Sequence, residues 1–248
     1  MEVLPRAVAR SWMRAAAGSA LLLLFAGLLS GCLYPKDQLR QNGAPKEAVR
    51  NVQGAIDQYF GDTGLLPIKN SSEDVPLYEK FKLDFVKLQR EGYIGDIPSA
   101  AFENGGNYYF LIINEETDPT IKLMDIVVYQ QINDLQKAVD AYKKKEGQLP
   151  KGEAAYPGFY TIDYKSLPVK EPIIRSEFSG HILPAIIDDN GTVYTDYAVD
   201  IMQQLIKLGD AKPPVDDLRA LLVDNSDYVP VKAPIYRWND GDPEAVAS

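Results

Sequence analysis

Cysteine and histidine are almost absent from this chain of 248 residues, which contains one of each, Cys32 and His181. A single thiol cannot form an internal disulfide, a Cys-x-x-Cys redox pair or a thiolate metal cluster. A single histidine cannot supply the paired ligands of a His-x-x-x-His zinc site, and no Gly-x-Ser-x-Gly motif accompanies it. We therefore predict a protein that is not an enzyme and holds no cofactor.

Basic residues are also scarce relative to acidic ones, with 26 Lys and Arg against 35 Asp and Glu and a net charge of −9. Nucleic-acid binding is not expected, because a polyanion is bound by clustered Lys and Arg that displace its counterions. Adsorption to anionic lipid is disfavoured for the same reason. A location at a membrane would therefore require a covalent or protein-mediated attachment.

The sequence lacks an apolar run long enough to span a bilayer. Its longest run extends from Ala15 to Leu29, which is shorter than the roughly 20 residues that a spanning helix needs. The basic residues Arg6, Arg10 and Arg14 precede or adjoin it. A basic segment followed by a short apolar one is typical of an export signal, so residues 1–31 are predicted to be a signal peptide.

The residues that follow the apolar run, Leu29-Ser30-Gly31-Cys32, resemble the bacterial lipobox. The resemblance implies cleavage before Cys32 and a diacylglyceryl group on its thiol, two acyl chains being enough for stable anchoring. An ordinary secretory leader, or a single-pass anchor with a chance cysteine, is the alternative. We predict lipid attachment at Cys32, residues 32–44 as a lipidated tether, and a location on the extracytoplasmic face of the cell membrane.

Two helices are predicted from apolar residues that recur at intervals of three and four, which places them on one helix face. Pro45 is expected to open the first helix, and glycines at 61 and 64 to end it. The second helix ends before Gly147 and Pro150. The apolar faces comprise Val49, Val52, Ile56 and Tyr59 in the first helix, and Ile132, Leu135, Val139 and Tyr142 in the second.

The two helices also share sequence, which indicates an internal duplication. Residues 55–67, AIDQYFGDTGLLP, align without a gap to residues 138–150, AVDAYKKKEGQLP. Two amphipathic helices with glycine caps could look alike by necessity, but that alternative leaves later matches unexplained. These matches are Asp84 and Leu88 with Asp163 and Leu167, and Glu103-Asn104-Gly105 with Asp189-Asn190-Gly191.

Strand-like sequence follows each helix, and Asn190-Gly191 between two β-branched runs is a hairpin signal. The predicted fold class is α+β, with two similar units that each consist of an amphipathic helix followed by a small antiparallel sheet. The units are assigned to residues 45–118 and 119–208. Residues 209–248 are predicted to form a short helix and an extended tail whose last ten residues are loose.

An acidic cluster around the predicted hairpin provides weak candidates for a metal site: Asp188, Asp189, Asn190 and Asp196. Oxygen ligands of this kind suit Ca²⁺, but a calcium loop would alternate its ligands and end in a bidentate Glu. The turn chemistry of Asp and Asn explains the cluster more simply. No metal and no catalytic residue is therefore assigned.

Two resemblances concern longer stretches. The order of helix, tyrosine, glycine and Leu-Pro, followed by Gly92-Tyr93-Ile94 and Ile97-Pro98, resembles the globular heads of pseudopilins and pilins. It implies a helix packed on a small sheet, without filament assembly, because the long apolar N-terminal helix of those proteins is missing. The segments SGCLYP, GLLPIK and AFENGG, at residues 30–35, 64–69 and 101–106, resemble the YphF-type lipoproteins of endospore-forming Bacillota.

The leading functional hypothesis is a membrane-anchored, non-catalytic binding or interaction module of the cell envelope, with a protein or cell-wall partner. The alternative is a solute-binding lipoprotein of an ABC-type importer. Helix-then-sheet units argue against that alternative, since two Rossmann-like lobes would alternate strands and helices. A hydrolase that uses carboxylates alone is a third, weaker hypothesis.

Overall fold

The computed structural model describes residues 36–209 and 215–247, with side chains from Pro45 onward. The predicted signal peptide and Cys32 lie outside the described residues. In the described ranges, no helix combines the length and the apolar character needed to cross a membrane.

Six α-helices are present in the described residues: α1 Lys36–Thr63, α2 Leu77–Lys80, α3 Phe85–Arg90, α4 Ile126–Glu146, α5 Ala198–Leu208 and α6 Arg219–Asp224. The two long helices end as the sequence predicts. Gly64 and Gly147 adopt positive φ angles of 68° and 71°, and their N–H groups donate to Phe60 O and Lys143 O at 2.8 and 2.9 Å. Glycine permits this left-handed closure of a helix at little cost.

The prediction that Pro45 opens the first helix is wrong. Helix α1 begins at Lys36 and contains Pro45 in its interior. A proline removes one backbone N–H donor and crowds the preceding turn, which usually ends or kinks a helix. Residues 36–44 are thus helical, and the role of residues 32–44 as a lipidated tether stays a prediction.

The described residues also contain ten strands, and the strands pair with one another in antiparallel fashion. Helices and small antiparallel sheets together confirm the predicted α+β class. The strands are β1 Tyr108–Ile113, β2 Thr120–Asp125, β3 Lys151–Tyr156, β4 Phe159–Ile162, β5 Ile174–Arg175, β6 Ile182–Leu183, β7 Ala185–Asp188, β8 Val193–Thr195, β9 Ile235–Asn239 and β10 Asp242–Val246.

The strand order β3-β4-β7-β8 of the second unit recurs in the first unit in a reduced form. There, β1 pairs with β2, Lys82 bridges to Leu111 of β1, and Ile68 bridges to Leu83. The predicted boundary at residue 118 falls in the β1–β2 turn, between two strands that pair with each other. The first unit extends to Asp125, the last residue of β2.

Matching glutamines hold the outer hairpin of each unit against its long helix. Gln53 of α1 accepts from Ile121 N at 2.8 Å and donates to Pro119 O at 2.9 Å. Gln136 of α4, at the same offset as the aligned segments, accepts from Val193 N at 2.7 Å and donates to Gly191 O at 2.8 Å. The β1–β2 hairpin therefore corresponds to β7–β8, which supports the duplication hypothesis.

One of the proposed later matches is not equivalent in space. Residues 103–105 belong to a 3₁₀ helix, Phe102–Asn104, and its glycine cap, which precede β1. Residues 189–191 instead form the turn between β7 and β8. The counterpart of that turn is the segment 114–119 between β1 and β2. The Asn-Gly pairs at 104–105 and 190–191 therefore do not mark equivalent positions.

Two hydrophobic cores share the β1–β2 hairpin. Phe110 and Ile112 of β1 pack in the core that contains α1 and α3. Leu111 and Ile113, which point to the opposite face, pack in the core that contains α4 and α5. Successive strand residues alternate between faces, so the unbroken apolar run 110–113 is what a strand buried on both sides requires.

The C-terminal residues are more ordered than predicted. Residues 227–232 form hydrogen bonds with strands of both units. Leu123 N of β2 donates to Asp227 O at 2.8 Å, and Thr195 N of β8 donates to Lys232 O at 2.9 Å. Strands β9 and β10 then pair as a hairpin. The prediction of loose final residues is wrong, because the Asp240-Gly241 turn, with φ angles of 46° and 102°, closes that hairpin.

Candidate binding pocket

A cavity of about 640 Å³ lies between the face of α1 from Glu47 to Val52 and the loop of residues 93–99, with Asn104 at its edge. We call it the α1 pocket. Its apolar lining includes Ala48 and Val52 of the helix, which are buried, and Ile97 of the loop, which is half-buried. Cavities of several hundred Å³ with an apolar lining and a few polar groups are typical of binding sites.

Several contacts fix the loop that forms one wall of the α1 pocket. Tyr93 N donates to Leu88 O at 2.9 Å, directly after Gly92 adopts a φ of 83°. The Tyr93 ring packs edge-on against Tyr59 of α1, with the ring centroids 5.0 Å apart. These contacts hold the beginning of the loop on α1, so the wall is preformed.

Two side-chain amides hold the middle of the same loop. Gln89 Nε2 donates to Gly95 O at 2.9 Å, and Asn104 Nδ2 donates to Ile97 O at 2.8 Å. Each amide comes from a neighbouring helical segment, α3 or the 3₁₀ helix Phe102–Asn104. The loop is therefore braced from both sides and its apolar side chains are presented toward α1.

The polar lining of the α1 pocket is acidic. Glu47 on α1 and Asp96 on the loop are both exposed, and Asn51 and Ser99 supply uncharged polar groups. No Lys or Arg belongs to the residues that line this cavity in the described part of the chain. Chemically, the pocket suits a ligand that combines an apolar group with a hydrogen-bonding or cationic one.

The second unit has a smaller cavity, of about 160 Å³, beside its own long helix. It lies between the beginning of α4 and residues 173–177, and we call it the α4 pocket. Gln131 in its lining is the counterpart of Ala48 at the offset of the aligned helices. Its loop follows Leu167 as the loop of the α1 pocket follows Leu88. The two cavities share this one helix position, and the cavity of the second unit is the smaller of the two.

The carboxyl groups of the α4 pocket are engaged with neighbouring residues. Asp125 Oδ1 accepts from Val127 N and Val128 N at 2.6 and 3.2 Å, and so caps α4. Glu177 Oε1 accepts from Tyr108 OH at 2.8 Å. Burial raises the pKa of both carboxyl groups. These contacts give both side chains a structural role, which makes the α4 pocket the weaker candidate for binding.

The predicted acidic cluster is divided among separate contacts. Asp188 Oδ1 accepts from Asn190 N at 2.9 Å and from Thr192 N at 2.7 Å, so this carboxylate stabilises the β7–β8 turn. Asp189 pairs with Lys151, and this ion pair lowers the pKa of Asp189. The contacts are those that turn chemistry predicts.

Asp196 faces a different set of partners. Its Oδ2 accepts from Tyr156 OH at 2.8 Å and its Oδ1 accepts from Tyr236 OH at 2.7 Å. Burial, followed by the charge of Asp196, raises the pKa of both tyrosines. The four metal candidates do not converge, and no group of three potential His, Cys, Asp or Glu ligands occurs among the described residues.

A serine, an aspartate and the single histidine come near one another without the pairing that nucleophilic catalysis uses. Ser176 Oγ donates directly to Asp200 Oδ2 at 2.7 Å. His181 is exposed, and its Nδ1 lies 3.1 Å from Gln203 Nε2. An activated serine would donate to a histidine that the aspartate orients. The Ser176–Asp200 contact instead ties the β5–β6 turn to α5.

Sequence reasoning did not identify the α1 pocket, although it singled out Gly92-Tyr93-Ile94 and Ile97-Pro98 for a resemblance. An available signal was the pair of isoleucines Ile94 and Ile97 in a short segment with a glycine and a proline. Their partners on α1 lie more than 40 residues away in the sequence. Only the fold brings these two elements together.

Comparison with known proteins gives one match. Residues 45–125 match the family model described as the YphF family N-terminal domain. The matched stretch extends from Pro45 of α1 to the end of β2 and contains the whole lining of the α1 pocket. No curated protein and no solved structure matches the chain. The YphF-type resemblance is supported for this region, and the resemblance to pilin heads stays a prediction.

Proposed function

We propose that this protein is a membrane-anchored, extracytoplasmic lipoprotein whose exported body is a non-catalytic interaction module of the cell envelope. The observation that carries the proposal is the α1 pocket, a cavity of about 640 Å³ with a braced loop wall. It combines an apolar lining with exposed polar groups, as binding sites do. Its partner would be a protein or a component of the cell wall.

The anchoring part of the proposal rests on the sequence. Leu29-Ser30-Gly31-Cys32 has the order of a lipobox, and Cys32 is the chain's one cysteine. The full chain is acidic, with a net charge of −9, and an acidic protein is repelled by anionic lipid. A diacylglyceryl group on Cys32 would overcome that repulsion, because each buried CH₂ contributes about 0.8 kcal/mol.

The sheet topology favours an interaction module over the importer alternative. Solute-binding lobes of the Rossmann type are built from parallel strands joined by helices. Here the named strand pairs are antiparallel, and each unit has its helix before its sheet. The contacts of Ser176, Asp200 and His181 likewise give no support to a hydrolase.

Site-specific photo-crosslinking in intact membranes tests the binding site. A photoreactive residue at Asn51, in the α1 pocket, should yield a discrete adduct. The matched control is Asp134, the exposed residue at the corresponding position of α4. Ile97→Asp should remove the adduct from Asn51, because it places a charge on the apolar wall, while circular dichroism checks that the variant is folded. Equal adducts from both positions, or none, would contradict the proposal.

Lipid labelling tests the anchor. Cells that express the full chain are labelled with radioactive palmitate, and the protein is compared with its Cys32→Ser variant. We expect label only on the wild type, and release or lack of processing of the variant. Label that persists in Cys32→Ser would contradict the anchor while leaving the pocket proposal untouched.

A further inference from the structure

The charge of the α1 pocket comes from two separate elements. Glu47 projects from α1 and Asp96 belongs to the loop, so carboxylates contribute from two sides of one cavity. The described residues that line it include no basic side chain that could neutralise them. Negative charges on the rim of a cavity attract a cationic partner, and they raise the rate and the specificity of its association.

The apolar part of the same cavity lies beside these acids. Ile94, Ile97 and Pro98 come from the loop and face Val52 of α1, which is 1% exposed. Such a surface favours an aliphatic or aromatic side chain. An occupant that satisfies both features therefore has an apolar group next to a positive charge.

The open form of the cavity favours a length of chain over a small enclosed amine. Asn51 and Ser99 are exposed at its edge, where an amide and a hydroxyl can hydrogen-bond to peptide N–H and C=O groups. Glu47, Asn51 and the loop are spread over a cavity of about 640 Å³. That volume is large for one ammonium group but suits several consecutive residues.

The α4 pocket provides a comparison within the same chain. It too is lined by acids, Asp125 and Glu177, but it includes a cation from its own loop, Arg175. Arg175 Nη1 donates to Gly180 O at 2.7 Å. The lining of the α4 pocket thus contains one guanidinium, which is bonded to its own loop, whereas the described lining of the α1 pocket contains no basic side chain.

We infer that the α1 pocket binds an extended segment of a partner protein that carries a Lys or Arg beside an apolar residue. This inference rests on the proposed function, since it names the class of partner for the same site. Glu47 and Asp96 would pair with the basic side chain, while Ile97 and its neighbours would contact the apolar one.

The inference is tested by measuring how much of each of several peptide pools binds to the full-length chain, which is purified in detergent and immobilised. Three octapeptide pools are degenerate at seven positions and carry Lys, Gln or Glu at the fourth. We expect the Lys pool to be retained roughly fivefold more than the Glu pool at low salt, because exposed ion pairs are individually weak. The preference should decline as salt is added. Mass spectrometry measures the retained peptide and reports the apolar residues selected beside Lys.

A double neutralisation, Glu47→Gln with Asp96→Asn, should abolish the preference for Lys. The matched control, Glu116→Gln with Asp118→Asn, removes the same charge from the β1–β2 turn and should preserve the preference. Equal retention of the pools, retention of none, or a Lys preference that survives neutralisation of the pocket would overturn the inference. Displacement of the peptides by equimolar spermidine would overturn the choice of a polypeptide.

The failure of this inference is separable from that of the proposed function. If the Asn51 adduct forms and Ile97→Asp removes it, the pocket is a binding site whatever the peptide pools show. If the adduct is absent, the proposed function fails first.

Discussion

The two units of this protein share the contacts that hold a hairpin on a helix, but they differ in the cleft beside that helix. Gln53 and Gln136 make the same pair of backbone hydrogen bonds, within 0.1 Å of each other. The neighbouring cavities nevertheless measure about 640 and 160 Å³. The helix and the hairpin thus form a scaffold that both units share. The loop after the short helical segment determines the size of the cavity, as loops on rigid scaffolds often determine binding sites.

The loops differ in what restrains them. In the second unit, β5 pairs with β6, and Ser176 in the turn between them donates to Asp200 of α5. In the first unit, side-chain amides from the helical segments before and after the loop hold it, and a cavity remains between the loop and α1. The loop of the second unit is thus tied to α5, and the loop of the first unit leaves a cavity beside α1.

The largest expected effect comes from the buried leucines that precede the two loops. Leu88 is 0% exposed and Leu167 is 8% exposed. Truncation of a buried leucine costs about 2–5 kcal/mol, with more lost where the site cannot collapse. We expect Leu88→Ala to lower the free energy of unfolding by more than Leu167→Ala, as measured by urea unfolding. Leu65→Ala, at a residue 61% exposed, is the control and should change stability by about 0.5 kcal/mol or less. A larger loss in the free energy of unfolding for Leu167→Ala than for Leu88→Ala would contradict this expectation.

The sequence predicted those parts of the fold that local patterns determine. Glycines ended both long helices, and Asn190-Gly191 marked a real hairpin. The β9–β10 hairpin was missed although Asp240-Gly241 is an equally local signal. The start of α1 was missed because a proline in a helical pattern usually lies at the beginning of the helix, whereas Pro45 lies inside α1.

The candidate site could not be predicted in the same way. The α1 pocket depends on contacts between α1 and a loop distant in sequence, and neither element is distinctive alone. The role of Gln53 was equally hidden, because an exposed-looking glutamine on a helix gives no sign that its amide reaches a hairpin about 65 residues later. Its position two residues before the aligned segment was the one available indication.

The second expected effect tests whether the glutamines are equivalent. Gln53→Ala and Gln136→Ala each leave a hairpin N–H and a C=O without their partners, which costs roughly 1–3 kcal/mol per unsatisfied buried group. We expect similar losses in urea unfolding, since each residue makes the same two bonds.

Gln53→Glu and Gln136→Glu are the nearly isosteric comparison for that pair. Each retains an acceptor for the hairpin N–H, but it loses the donor to the carbonyl and to Asp57 or Asp140 and places a carboxylate beside those oxygens, so the loss should be at least as large as with Ala. If Gln53→Ala proved neutral while Gln136→Ala was costly, the resemblance between the two units would not extend to their energetics.

The smallest expected effect concerns the contact that restrains the second unit's loop. Asp200 is 1% exposed, and burial raises the pKa of its carboxyl group above the ordinary 3.8. The folded state therefore binds the proton more tightly than the unfolded state, so stability should fall as pH rises from about 3.8 through the raised pKa, and then level off. Each pKa unit corresponds to about 1.4 kcal/mol.

Asp200→Asn can still accept from Ser176, and this variant should reduce the decline of stability with pH. Asp125 and Glu177, whose pKa values are also raised, should preserve part of that decline. Thermal unfolding between pH 4 and 8 measures the slope, with exposed Asp134→Asn as the control. An unchanged slope in Asp200→Asn would show that the restraint on this loop does not depend on the charge of Asp200.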